Sequence, residues 1–178
     1  MLTTRSLTPN NLRELWKIGF TETDPQWKKW DAPYFENYRT MTYEMFEQQL
    51  GEWLLSERVT GIFLHDSVIG IATRHWENEA TRWLEIGIIL YQPENWSGGL
   101  GTQALTQWIN QIFERYPNLE HIGLTTWSGN ERMMKLAEKI GMQQEACIRK
   151  VRYWQGTYYD SMKYGVLRDE WKQINRSY

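Results

Sequence analysis

The sharpest concentration of residues with chemical potential is Asn95-Trp96-Ser97-Gly98-Gly99-Leu100-Gly101-Thr102, which falls between a β-rich run and a run of helical spacing. Glycine reaches positive φ without a Cβ penalty and lets a ligand approach the backbone closely. A glycine turn that opens a helix therefore aims several main-chain N–H groups at one point, where the helix dipole favours negative charge. Phosphate or pyrophosphate suits such a cradle. The same residues would also make a plain strand-to-helix turn.

Two nucleotide motifs come close to this pattern. Gly99-Leu100-Gly101-Thr102-Gln103-Ala104 formally fits the dinucleotide fingerprint with Ala in the last place, and Glu120 lies at about the required distance. The acidic residue should close the second strand, however, whereas Glu120 precedes the run that begins near His121. The glycines also follow antiparallel strands rather than the first strand of a parallel series. A dinucleotide enzyme is disfavoured, and a Walker A loop is excluded because Gly-Lys-Ser/Thr does not occur.

Other polar candidates carry less. His65, His75 and His121 are scattered over separate β-rich runs without ligand spacing or a triad, so ordinary structural histidines and no metal are expected. Cys147 is the only cysteine, which rules out an intrachain disulfide and a four-cysteine zinc site. A buried small apolar side chain is its ordinary role. Glu22, Asp24, Asp31 and Glu36 lie in an irregular stretch, where a solvated loop is the default reading.

The positioning elements follow from period and punctuation. Leu2 to Leu7 reads as a strand, and Thr8-Pro9 supplies a capping hydroxyl followed by Pro at the first helical position. Leu12, Leu15, Trp16 and Ile18 to Phe20 continue that helix. Residues 21–41, with Pro25 and Pro33, predict no regular element, and Thr42 to Ser56 predicts a second helix. Thr60–His65 and Val68–His75 read as a hairpin about Asp66-Ser67, and Trp83–Leu90 adds a third strand to an antiparallel meander. Helices are expected over Gly101–Tyr116 and Asn130–Ile140, the latter closed by Gly141, with a strand at His121–Thr126 between them. Cys147–Trp154 and Thr157–Leu167 make a closing hairpin about Gln155-Gly156. The class is α+β, with a central mixed sheet of about seven strands and about four helices.

Composition agrees with one domain over residues 1–178. The 20 Lys plus Arg against 22 Asp plus Glu leave a net charge of −2, so nothing favours nucleic-acid binding. With a mean hydropathy of −0.66, no run approaches the ~20 apolar residues of a membrane span. The N-terminus has no apolar signal-peptide core, and a cytoplasmic location is expected. Aromatic residues are abundant, with 11 Trp, 10 Tyr and 5 Phe. They suit a core, a ligand cleft or a homodimer contact.

Taken in order, several motifs resemble the GNAT superfamily of acetyl-CoA-dependent N-acetyltransferases, in the branch related to ribosomal-protein N-terminal acetyltransferases. They are Glu85-Ile86-Gly87-Ile88, residues 96–102, Asn130 opening a helix that ends Glu138-Lys139-Ile140-Gly141-Met142, Gly156 to Asp160, and Tyr164 to Trp171. The resemblance covers nearly the whole chain. The family's pyrophosphate loop reads Gln/Arg-x-x-Gly-x-Gly/Ala; Gly99 and Gly101 match it, and Trp96 departs from it.

The resemblance implies a splay between the fourth and fifth strands and a direct transfer of acetyl from acetyl-CoA to a primary amine. By the same resemblance, Trp96, Ser97, Gly98, Gly99, Leu100, Gly101 and Thr102 hold the diphosphate. Backbone groups of Ile88, Ile89 and Leu90 grip the pantetheine arm, and Asn130 positions it or simply caps its helix. A thioester accepts direct attack by a neutral amine, which leaves the protein to orient the amine, remove a proton and stabilise the oxyanion. Glu85 is the implied base, or else the group that orients the cationic amine. Relatives carry Tyr or Ser as general acid, but Ala137 and Met133 stand at those places here, so the acid is unassigned, with Ser128, Tyr164 or water as the alternatives. Trp30, Asp31 and Tyr34 are the implied acceptor contacts, for a protein N-terminus or a small amine. A catalytically silent CoA-binding module is the alternative.

Overall fold

The structure, a computed structural model, describes residues 1–176. Its strands are β1 (Leu2–Arg5), β2 (Val59–Leu64), β3 (Ser67–Asn78), β4 (Trp83–Leu90), β5 (His121–Trp127), β6 (Gln143–Trp154) and β7 (Thr157–Leu167). The helices are α1 (Pro9–Gly19), α2 (Tyr43–Leu54), α3 (Leu100–Arg115), α4 (Glu131–Lys139) and α5 (Arg168–Arg176). The strands form one seven-stranded sheet in the order β1-β2-β3-β4-β5-β7-β6. The chain divides into two compact units, Met1–Thr73 with Ile88–Trp108 and Arg74–Gly87 with Ile109–Tyr178.

In the first unit β1, β2 and β3 pair antiparallel, with Leu2 opposite Leu64 and Val59 opposite Thr73. Thr8 precedes α1, and its N–H donates to Oδ1 of Asn11 at 2.9 Å. Thr42 caps α2 by accepting from the N–H of Met45. The apolar faces of both helices close a core of Leu12, Leu15, Phe20, Trp27, Phe46, Phe63, Ile71 and Tyr91. Of the aromatics of the first third, Phe20, Trp27 and Phe46 are buried in this core and Trp16, Tyr38 and Tyr43 pack against it, while Phe35 stands 61% and Trp53 39% exposed.

Residues 21–41, expected to lack regular structure, hold two short 3-10 turns at Gln26–Lys29 and Pro33–Phe35. Large donors pin this stretch: Trp27 Nε1 to the carbonyl of Gly19 at 2.9 Å, Tyr38 Oη to that of Glu22 at 2.7 Å, and Trp16 Nε1 to that of Met41 at 2.7 Å. Hydrogen-bonding side chains therefore do here what helix or strand bonds do elsewhere.

In the second unit β5 runs antiparallel to β7 from His121↔Leu167 to Trp127↔Ser161. β4 pairs with β5 in parallel over Leu84↔Ile122 and Glu85↔Gly123, and their register ends there. β5 therefore continues toward Trp127 with β7 as its partner. The core gathers Ile109, Ile112, Ile122, Leu124, Ile140, Tyr164, Val166 and Trp171.

Several element ends differ from the sequence expectation, β3 for instance running on to Asn78 where a strand end at His75 is expected. β1 stops at Arg5, and Leu7 turns its side chain into the core. β6 begins at Gln143 rather than Cys147, because Gln143 and Gln144 pair with Gly165 and Tyr164 despite their polarity. Beyond the expected hairpin the chain makes a fifth helix, α5. The carboxylate of Glu170 accepts from the N–H of Leu167 at 2.9 Å, a cap on the first turn. Trp171 is buried with its indole on Asn110 Oδ1 at 2.7 Å. Gly141, at φ +93°, ends α4 where any Cβ would overlap Ile174.

Candidate functional site

The first unit contains the glycine turn. Pro93–Asn95 forms a 3-10 turn after β4, and the carbonyl of Gly99 accepts from the N–H of Gln103 at 3.0 Å, so Gly99 caps α3. The first-turn N–H groups of Gly99 to Thr102 have no intrahelical acceptor. Gly98 and Gly99 take φ of +81° and +80°, and a Cβ at either would meet no heavy atom within 4 Å. Glycine is required there by the backbone, and the space in front of the turn is open.

Trp96, where the family pattern has Gln or Arg, has a structural explanation. Its Nε1 donates to the carbonyl of Leu90 at 2.7 Å. The end of β4 and the start of the turn are thereby tied, and one carbonyl of the Ile88–Leu90 run is already engaged. The ring of Trp30 stands edge-on to Trp96, with centroids 6.4 Å apart. Asp31 lies next to it, its carbonyl accepting from Lys28 Nζ at 2.8 Å, and Tyr34 packs edge-on to Phe35 at 4.8 Å. Ala32 and Glu36 flank this short turn at φ +42° and +49°, a conformation that non-glycine residues seldom adopt.

The second unit contains Glu85, which is 4% exposed. Oε2 accepts from Thr125 Oγ1 at 2.6 Å, and Oε1 accepts from Lys163 Nζ at 3.0 Å. Lys163 also donates to Thr125 Oγ1 at 2.9 Å and lies 5.6 Å from the centre of the Trp83 ring. Gly123 is the β5 residue opposite Glu85; a Cβ there would stand 3.1 Å from Cγ of Glu85. Two glycines thus clear one face of the sheet, since a Cβ on Gly165 would overlap His121 and Glu145. His121 Nε2 reaches the Glu145 carboxylate at 2.9 Å.

His75, expected to be isolated, lies with Nε2 at 2.8 Å from Glu77 Oε1. The ligand atoms of His75, Glu77 and Glu85 all fall within 4.8 Å of one another. Lys163 occupies Glu85, which makes that group a charge cluster and not a free carboxylate set. Asn130 caps α4, its Oδ1 accepting from the N–H of Met133 at 3.1 Å.

Of the two hydroxyls offered as substitute acids, Tyr164 donates its proton within the fold, whereas Ser128 is engaged as an acceptor. Ser128 Oγ accepts from the N–H of Asp160 at 2.9 Å. Tyr164 is buried, its hydroxyl donating to Glu138 Oε1 at 3.3 Å. Burial, then the charge and hydrogen bond of Glu138, push its phenol pKa up. Cys147 is not the buried side chain expected: it is exposed on β6, with Sγ 3.6 Å from Asp160 Oδ2. β6 is the edge strand of the sheet and its residues 147–151 are all exposed, so the thiol has no core to enter.

Sequence reasoning passes over Lys163, Thr125 and Trp83. The available signal is Lys163 as a lone cation between the apolar Met162 and Tyr164 of β7.

Residues 2–143 match the family model described as an acetyltransferase (GNAT) domain. Among curated proteins, the chain is 26% identical over 125 residues to the uncharacterized N-acetyltransferase YoaA of Bacillus subtilis, covering 70% of this chain and 67% of that one. It is 28% identical over 112 residues to YdaF of the same organism, provisionally named a ribosomal N-acetyltransferase, covering 63% of this chain and 60% of that protein. A solved spermidine N-acetyltransferase from Vibrio cholerae, in complex with CoA and spermine, superposes with a TM-score of 0.75 at 18% identity, covering 96% of this chain and 98% of that one. Its likeness establishes a shared α+β fold.

Proposed function

Because the chain belongs to the GNAT acetyltransferase family, we propose that it is a single acetyltransferase domain over residues 1–178 that transfers acetyl from acetyl-CoA to a primary amine. The observation that carries this reading is the paired positive φ of Gly98 and Gly99 at the head of α3. The unpaired first-turn N–H groups of a helix lie there beside two glycines with open space around them, and a diphosphate takes such donors. The residues present fit coenzyme A: a glycine cradle, a helix N-terminus, and an indole that braces the turn. Acetyl-CoA supplies a thioester activated enough for direct attack by a neutral amine.

The chain's own residues then have separate tasks. Ser97 to Thr102 bind the diphosphate, and main-chain groups of Ile88 and Ile89 are the candidates for the pantetheine arm. Asn130 fixes the start of α4 and contacts the same arm. Glu85 takes a proton from the acceptor amine or holds it as an ammonium until a proton is lost. With Ala137 and Met133 at the usual acid positions, water protonates the departing thiolate, whose pKa of about 8.5 makes a protein acid dispensable. Trp30, Asp31 and Tyr34 contact the acceptor.

Nothing in the described residues is long and apolar enough as a helix to cross a membrane. A cytoplasmic enzyme acting on a small amine or a protein N-terminus accords with that, and the exposed Phe35, Trp53, Tyr153 and Tyr158 accord with a homodimer contact. The relative that binds spermine makes polyamines the first acceptors to try. A thiol-release screen over polyamines, other amines and N-terminal peptides, followed by product mass analysis, tests the reading. Steady release with an acetylated amine product is expected. Tight acetyl-CoA binding without release across the panel would overturn it.

A further inference from the structure

The groups around Glu85 make an ammonium site that is already filled by the chain itself. A carboxylate oxygen at 3.0 Å and a hydroxyl oxygen at 2.9 Å accept from Lys163 Nζ. The face of Trp83 completes the surroundings at 5.6 Å, a distance at which an indole attracts a cation. The carboxylate is almost wholly buried while the Lys163 side chain keeps 28% of its exposure. One partner is therefore fixed in the fold, and the other approaches from the solvent side on a flexible stem. Gly123, in register with Glu85, carries no side chain, and the place a Cβ would take is filled by the Glu85 and His121 side chains, which hold the carboxylate in position.

A lysine side chain ends in the same primary alkylammonium that an amine acceptor presents. We propose that Glu85, Thr125 and Trp83 form the subsite that receives the acceptor's ammonium, and that Lys163 is its internal occupant, displaced when an acceptor binds. This inference deepens the acetyltransferase reading and rests on it. It makes Lys163 a specificity-determining residue. An acceptor must compete with a tethered cation, so its apparent affinity falls by the fraction of molecules in which Lys163 has swung out. His75 and Glu77 lie beside the same carboxylate, and Glu77 adds a second one within 4.8 Å of Glu85. Once Lys163 leaves, that face holds surplus negative charge for the incoming cation.

The probe is n-butylammonium, which copies the lysine side chain, titrated calorimetrically into the full chain without acetyl-CoA. Lys163→Met is expected to bind it at least about tenfold more tightly than the unaltered protein, as removal of a competitor populated above about 90% requires. Adding Glu85→Gln to that variant is expected to abolish the gain. Equal or weaker binding by Lys163→Met would overturn the inference.

A second measurement needs no destabilised variant. In protein labelled with 13C-lysine, n-butylammonium is expected to move the Lys163 Cε resonance toward that of a free lysine, with Lys163→Arg supplying the assignment. A resonance unmoved at saturation would overturn displacement. Butylammonium binding as expected, with no thiol release for any amine, would support the subsite and sink the transferase reading. Robust thiol release with no gain in Lys163→Met would do the reverse.

Discussion

The indole N–H of Trp96 donates to the carbonyl of Leu90 at 2.7 Å, so the residue that departs from the family's loop pattern is the one that ties that loop to β4. Its ring also meets Trp30 edge-on. The bond and the ring contact are each worth about 0.5–1.5 kcal/mol. Trp96→Gln would restore the commoner residue and lose both. A lower melting temperature is expected, together with acetyl-CoA affinity within about threefold of the unaltered protein, because the diphosphate contacts are main-chain. A large loss of affinity at an unchanged melting temperature would mean that the indole itself touches the cofactor.

Glu85→Gln removes the charge from a buried carboxylate while preserving its shape. Acetyl-CoA affinity is expected to persist in calorimetry, while turnover falls by about 10²–10⁴ if Glu85 moves the proton. Its pH–rate profile should change at the same time. Unchanged rates across pH with the best acceptor would remove Glu85 from the chemistry. The substitution also leaves Lys163 without its counter-ion. The stability cost should lie between the ~0–1 kcal/mol of an exposed pair and the ~3–5 kcal/mol of a buried one, since Lys163 is partly exposed.

Tyr164 contributes, with the fully buried Tyr91, to an alkaline limit of the fold. Burial and the neighbouring Glu138 raise its phenol pKa. The folded chain therefore keeps a proton that the unfolded chain releases above about pH 10. Protons are bound more tightly in the folded state, so stability is fully present below that pH and is lost as pH rises past it. Tyr164→Phe should melt lower at neutral pH, and its melting temperature should fall less between about pH 9 and pH 11. Parallel curves for the two proteins would assign the alkaline loss elsewhere.

Legibility in the sequence follows the range of the interaction. Local signals are plain: Thr8-Pro9 before α1, Thr42 before α2, the hairpin turn at Gln155-Gly156, and the Gly98-Gly99 turn all act within a few residues. α5 escapes a sequence reading because its anchor is Trp171 on Asn110, a contact across the tertiary structure, although its cap from Glu170 to Leu167 is local. The glycine turn and Glu85 can be named from their motifs. Lys163 and Thr125 cannot, since they come beside Glu85 only through the β4–β5 and β5–β7 registers. The buried role expected of Cys147 fails because residue type sets an average burial, while the place of β6 at the sheet edge sets the actual one.

The cradle at the head of α3 is tested most directly by titrating acetyl-CoA and S-acetylpantetheine, which lacks the diphosphate, into the unaltered protein and into Gly99→Val. Residue 99 sits at φ +80° with no neighbour within 4 Å of an added Cβ, so the variant strains and re-aims the turn without colliding with the core. The expected result is a preference for acetyl-CoA of at least about a hundredfold, about 2.7 kcal/mol, that collapses in the folded variant while S-acetylpantetheine binding is unaffected. Equal affinity for the two ligands, or a preference that survives Gly99→Val, would contradict a diphosphate held by these main-chain donors.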